Sequence, residues 1–262
     1  MKAIPLAALA AISPVAAILG GEPVSPVKYP YLVSLYNTSE IIHPHPTCTG
    51  VLIQKNAILT AASCVHEIPA RSGCAVIGPI GHSPSNKTHQ IYAWDSFAYP
   101  GIYDYKTYKH NIAIITFTGD HNVTTFPKLA KRGKFHGSSV VRKVQMLGFG
   151  LGLTGEPGEE IHSLRQLELP IMDVEACRMQ MDGRISVQDD KFCTEGCARR
   201  GLGSSFTGDT GAPVFYKDTL VGIASVGVEN EINCYPRPVT RISQHQKFVQ
   251  DYYRKSDFRK GH

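Results

Sequence analysis

This chain lacks the usual means of building a metal finger, a membrane span or a repeat array. Its seven cysteines include no Cys-x-x-Cys pair, and "CTEGC" (Cys193 to Cys197) has no matching His–His or Cys–Cys partner. No structural zinc site, other metal site or cofactor is therefore expected. Beyond the first residues no stretch is long and apolar enough to cross a bilayer, so no membrane partner is expected. There is no internal repeat and no low-complexity tract. Charged residues make up only 19% of the chain, and 27 Lys and Arg against 22 Asp and Glu leave a net charge of +5. That mild excess suits contact with anionic partners outside the cell and does not call for nucleic acid.

Punctuation is plentiful: 24 glycines and 17 prolines in 262 residues favour many short strands over long helices. Strand-forming runs appear at 31–37, 49–53, 56–62, 111–119, 138–150, 164–172, 212–216 and 220–228, a spacing that predicts antiparallel sandwiches or barrels. One helix is expected near the end, in "SQHQKFVQDYYRK". Ser243 and Gln246 make a capping-box pattern there, and Phe248, Val249, Tyr252 and Tyr253 share a face. The polar, basic segment 128–137 reads as a linker between two halves.

The first seventeen residues read as a targeting segment. Lys2 precedes a small-to-apolar run, and Val15 and Ala17 are suitably placed for signal-peptidase cleavage before Ile18. A secreted protein is expected. Asn-x-Ser/Thr acceptors at Asn37, Asn86 and Asn122 fit that compartment, as do the cysteines.

Four stretches in one order resemble the trypsin/chymotrypsin-like serine proteases: "ILGGEPV" (18–24), "ILTAASCV" (58–65), "HNIAIITF" (110–117) and "GDTGAP" (208–213). "YPRPVTRIS", leading into the final helix, is similar as well. The resemblance covers 18–255. It implies an all-β fold of two antiparallel six-stranded β-barrels of the chymotrypsin type with a C-terminal helix, the first barrel in 18–132 and the second in 133–262.

At the three catalytic positions the resemblance fails. Ser63 stands where the family has its general-base His, Asn111 where it has the orienting Asp, and Thr210 where it has the nucleophilic Ser. Ser63 cannot take a proton near neutral pH. Asn111 has no charge to stabilise an imidazolium. Thr210 keeps a hydroxyl, yet its methyl and stiff χ1 crowd attack, and a threonine nucleophile needs an adjacent base. His66 and His110 lie nearest in sequence. His66 falls beyond the turn, and His110, in a strand with Asn111, points to the opposite face.

The resemblance also implies what persists. Gly208 and Thr210 would supply the two N–H groups of an oxyanion hole, and Asp209 would pair with the N-terminal ammonium of Ile18. Cleavage after Ala17 would order the site at secretion, whereas cleavage after Ala10 would leave a short pro-segment. Ser204 would sit at the base of the specificity pocket, with Ser225 to Gly227 along one wall and Arg237 filling it from the other. Cys48–Cys64 and Cys177–Cys193 match family bridges. Cys197–Cys234 would be a displaced one, leaving Cys74 unpaired.

A non-catalytic homologue that works by binding another extracellular protein, as decoy, cofactor or inhibitor, is thus expected. The Ala-rich leader and triple loss resemble the scabies-mite inactivated protease paralogues. The alternatives are residual hydrolysis through Thr210 and adhesion to anionic glycans. For the latter, Lys128, Lys131, Arg132, Lys134, Arg142 and Lys143 follow one another with no acid between them.

Overall fold

The computed structural model describes residues 21–38, 46–69, 71–77, 90–133, 143–149, 164–181, 183–196, 208–227 and 235–258, and side chains as far as 252. After a two-residue strand, β1 (Glu22–Pro23), come β2 (Leu32–Tyr36), β3 (Cys48–Gln54), β4 (Ala57–Thr60), β5 (Cys74–Ile77), β6 (Gln90–Ala98) and β7 (Ala113–Phe117). β2 to β7 close into an antiparallel barrel in the ring order β2-β3-β4-β7-β6-β5. The registers pair apolar residues across strands, Ile58 with Ile115 and Leu59 with Ile114, so burial of side chains fixes the pairing.

The second half follows the same plan with β9 (Lys143–Gly148), β10 (Arg165–Met172), β11 (Lys191–Thr194), β12 (Pro213–Tyr216), β13 (Thr219–Ala224) and β14 (Arg237–Arg241). Their ring runs β10-β11-β14-β13-β12-β9, and six residue pairs between β9 and β10 close it. In β10, Leu167 and Leu169 are buried while Glu168 between them is exposed, the period-two pattern of a one-sided strand. Two closed six-stranded barrels and a C-terminal helix, α2 (Gln246–Phe258), make up the fold.

Three local readings change. The basic segment from Lys128 is more than a linker, because β8 (Lys128–Leu129) pairs in parallel with β13 and Ala130 is buried in the second core. A short helix, α1 (Val174–Met181), escaped the periodicity because only Cys177 and Met181 are buried in it. Its start is chemical: Asp173 Oδ1 accepts the N–H groups of Glu175 and Ala176, each at 3.0 Å. The capping box does not form either. Ser243 lies in a separate 3-10 turn, Ile242–Gln244, and the Gln246 amide donates to the Ala130 carbonyl instead. Phe248, Val249 and Tyr252 do pack on the core. The Tyr253 side chain lies outside the described ones.

One apolar core runs through both barrels. It joins Val33, Leu52 and Ile114 of the first to Leu147, Phe215 and Ile223 of the second. Two disulfides brace the halves, Cys48–Cys64 and Cys177–Cys193. Cys197 and Cys234 lie outside the described residues. Cys74 is free and buried, and burial pushes its thiol up to about 11, so it stays protonated and inert.

Candidate functional site

The seam between the barrels brings the three substituted positions together. A 3-10 turn after β4, Ala62–Cys64, presents Ser63, with Cys64 tied back to β3. Asn111 ends the connection into β7, and the 208–212 turn leads into β12. Two bonds clamp that turn onto the first barrel: the Thr49 N–H donates to the Thr210 carbonyl at 2.9 Å, and Thr49 Oγ1 to the Gly208 carbonyl at 2.8 Å. Gly211 adopts φ +86, and a Cβ on it would fall 2.2 Å from the Thr49 carbonyl oxygen, so only glycine fits.

Asn111 is fully buried. Its Oδ1 accepts the Ser63 N–H at 2.8 Å, while its Nδ2 donates to Ser63 Oγ at 3.1 Å and Ser225 Oγ at 2.9 Å. The network is neutral and satisfied, and none of its members is a base at neutral pH. Each of these hydrogen bonds contributes about 1 kcal/mol, and stranding a group of the fully buried Asn111 costs more than that. The substituted residues therefore hold the seam together while offering no proton transfer.

Thr210 is partly exposed, and among the described residues no histidine or carboxylate bonds its hydroxyl. The N–H groups of Gly208 and Thr210 meet no acceptor among those residues. Asp209 is 1% exposed and packs so closely on Gly148 that a Cβ there would lie 2.2 Å from Oδ1. Ile18 and Ser204 lie outside the described residues. Ser225 is buried. Arg237 is only 9% exposed, and a Cβ on Gly227 would fall 1.8 Å from its Nη1. Asn37 and Asn122 are exposed, and Asn86 lies outside the described residues.

The two neighbouring histidines differ from the reading of the sequence. His66 is not beyond the turn: it lines one groove with Ser63 and Thr210, together with Tyr103, Tyr105 and Tyr108. Aromatic neighbours hold its ring. It stacks on Tyr105 at 5.4 Å, and its Nδ1 lies 3.2 Å from the Tyr99 hydroxyl. His110 does point away from the groove, though not because it is in a strand. It sits in a turn with φ 57, its Nδ1 3.1 Å from His245 Nε2.

That contact belongs to a cluster the sequence did not reveal. His110, Asp190 and His245 bring ligand atoms within 4.8 Å of one another, the one such grouping of three or more His, Cys, Asp or Glu among the described residues. Asp190 Oδ2 accepts the His110 N–H at 2.8 Å and the fully buried Lys191 Nζ at 2.7 Å. Burial opposes the charge on Asp190, but Lys191 and its hydrogen bonds hold the carboxyl below the usual carboxylate range. Burial pushes the Lys191 ammonium down, offset only in part by Asp190. The cluster holds no hydroxyl nucleophile, so it is no second triad. The residues lie too far apart in the chain for any spacing rule, 135 positions between the two histidines.

The profile of the family called Trypsin matches residues 18–249. The chain belongs to the trypsin family. Within it this protein is a non-catalytic homologue, since the His, Asp and Ser of the triad are replaced by Ser63, Asn111 and Thr210 in a bonded, uncharged network. It is 24% identical over 251 residues to the clotting factor G beta subunit of Tachypleus tridentatus, covering 89% of this chain and 79% of that one. It is 27% identical to granzyme M of Rattus norvegicus, with 90% and 88% covered. In fold it is similar to the scabies mite inactivated protease paralogue S-I1, with TM-score 0.73, 23% identity, and 90% and 99% of the two chains covered. A mutant of human heparin binding protein gives TM-score 0.71 at 20% identity, with 90% and 97% covered.

Proposed function

We propose that this trypsin-family protein is secreted and acts by binding another extracellular protein, as decoy, cofactor or inhibitor, through the surface that active relatives turn toward substrate. The observation that carries this is the groove above the altered triad. The groove has a volume of about 330 Å³, and its walls include His66, Tyr103, Tyr105, Tyr108 and Val226. Tyr105 is 53% exposed and Ile102, three residues earlier, 68%. Tyrosines in the groove wall, with an exposed aliphatic on the same loop, suit a protein contact, where large side chains of low entropy supply most of the affinity. With the Arg237 guanidinium occupying the space beside Gly227, the partner would be held by the rim and not by a side chain inserted there. The leader-like segment, the disulfides and the glycosylation acceptors support secretion.

Surface plasmon resonance against a panel of trypsin-family zymogens, active proteases and their macromolecular inhibitors tests this. At least one member should bind the wild type, and Tyr105→Ala and Ile102→Asp should each weaken it tenfold or more. No binding across the panel, or wild-type affinity in both variants, would sink the rim as the contact.

A second reading has its own observation. Lys128 and Lys131 flank a surface cavity of about 510 Å³ floored by Leu129, Ala130 and Val221, and Arg132 beside them is exposed. Lys143 does not join them freely, because it pairs with Glu168. An anionic glycan would bind there chiefly through charge. On a heparin column Lys128→Gln/Lys131→Gln should elute at lower salt than a control that neutralises two lysines on other segments, Lys28 and Lys106; equal elution would refute the local site.

A further inference from the structure

We infer that His110, Asp190 and His245 form a binding site for a divalent transition-metal ion of the zinc type, on the side of Asn111 away from the groove. The inference is independent of the proposed partner binding.

Geometry comes first. His110 Nδ1 and His245 Nε2 face each other at 3.1 Å. Two ring nitrogens on one tetrahedral zinc stand about 3.3 Å apart, given bonds of about 2.0–2.1 Å. The hydrogen-bonded pair is therefore already at the bite of a metal chelate, with a proton between the nitrogens.

Tautomers and supporting contacts agree. His245 Nδ1 lies 2.7 Å from the Arg241 carbonyl, which can only accept, so that nitrogen carries the ring proton and Nε2 keeps its lone pair. A backbone carbonyl behind a histidine in this way is the usual support of a metal ligand. The third donor is distinct from the histidine contact. Asp190 is 4% exposed, and while its Oδ2 is engaged by Lys191 and the His110 N–H, its Oδ1 is buried with no hydrogen-bond partner among the described residues. A carboxylate oxygen in that state is costly unless something fills it.

His110 is held in the left-handed region by the same carboxylate that would share the ion. Such strain in a non-glycine residue persists where the surroundings determine it. His110 is also the partly exposed member of the three, and so the side from which an ion enters.

Two nitrogens and one carboxylate oxygen suit zinc and its neighbours rather than calcium or magnesium, which take oxygen donors. On binding, the ion accepts lone pairs from His110 Nδ1, His245 Nε2 and Asp190 Oδ1. The His110 ring proton moves from Nδ1 to Nε2, so the rings stay neutral and no net proton is lost. The ion would tie the turn before β7 to the start of β11 and to the residue just before α2, joining segments of both halves. Lys191, its ammonium on Oδ2, opposes the ion and limits its affinity.

The test is a calorimetric titration of the chelator-stripped protein with ZnCl2, beside the visible absorption of bound Co2+. One equivalent should bind, the melting temperature should rise, and Co2+ should give the spectrum of a low-coordinate site. His110→Asn, which tolerates the left-handed backbone, and His245→Gln should each weaken zinc at least tenfold and lose that spectrum. Lys191→Met should tighten zinc at least tenfold. Metal-free melting curves establish that each variant is folded. Absence of one-equivalent binding, or wild-type affinity in both histidine variants, overturns the site by assigning any zinc to other histidines. No tightening in Lys191→Met overturns Asp190 as a ligand.

Discussion

Wild-type protein and Thr210→Ala are expected to show the same background turnover on a broad peptide-substrate library. Residues of a triad act as a unit, and losing them together costs on the order of a millionfold. Here the base position is a serine bonded to Asn111, and the nearest histidine, His66, is committed to Tyr99 and Tyr105. The informative variant carries Ser63→His, Asn111→Asp and Thr210→Ser together. By itself it should remain feeble, because the Arg237 guanidinium lies in the space beside Gly227. With Arg237→Gly added, turnover should rise by on the order of a thousandfold or more above wild type. Turnover by the wild type that disappears in Thr210→Ala would refute the non-catalytic reading and require a base supplied from elsewhere. High activity in the triple variant alone would show that Arg237 closes nothing.

The largest stability effect is expected from Asp190→Ala, measured without metal. Lys191 is fully buried, and its ammonium has Asp190 Oδ2 at 2.7 Å. Removing the carboxylate strands a buried charge and costs about 3–5 kcal/mol. It also removes the acceptor that holds the His110 N–H. For a chain of this size the melting temperature should fall by roughly 10 °C, at about 2–4 °C per kcal/mol. Lys191→Met in the same background should recover much of the loss, since the double variant leaves no charge of this pair behind. A cycle in which the two losses simply add would mean that the contact carries no coupling. Exposed pairs such as Lys55–Asp120 provide the control, with effects of at most about 1 kcal/mol.

Much of the architecture was legible because it is written locally. Gly211 must be glycine wherever that turn meets the first barrel, and the apolar runs of β4 and β7 declare buried strands. The ordered segments around Ser63, Asn111 and Thr210 carried both the family and the loss of its chemistry. What stayed hidden was assembled by the fold alone. β6 was missed because Trp94 is its one buried residue, which leaves little period-two contrast. His66 was misplaced because the sequence does not show that the tyrosines at 99, 103 and 105 gather around its ring. The His110–Asp190–His245 cluster draws on three distant segments, so reasoning from cysteine spacing alone was blind to it.

The neutral network at Asn111 acts as a ratchet. A histidine restored at position 63 would meet the Nδ2 group of Asn111, which gives hydrogen bonds and takes none, and would have no anion behind it. An aspartate restored at position 111 would gain a buried charge with no cation to balance it. A serine restored at position 210 would still lack a proton acceptor. No single reversal is rewarded, and the first two disturb contacts that now close the seam. Descendants of this chain can therefore refine its surface freely, while the road back to hydrolysis demands several changes at once.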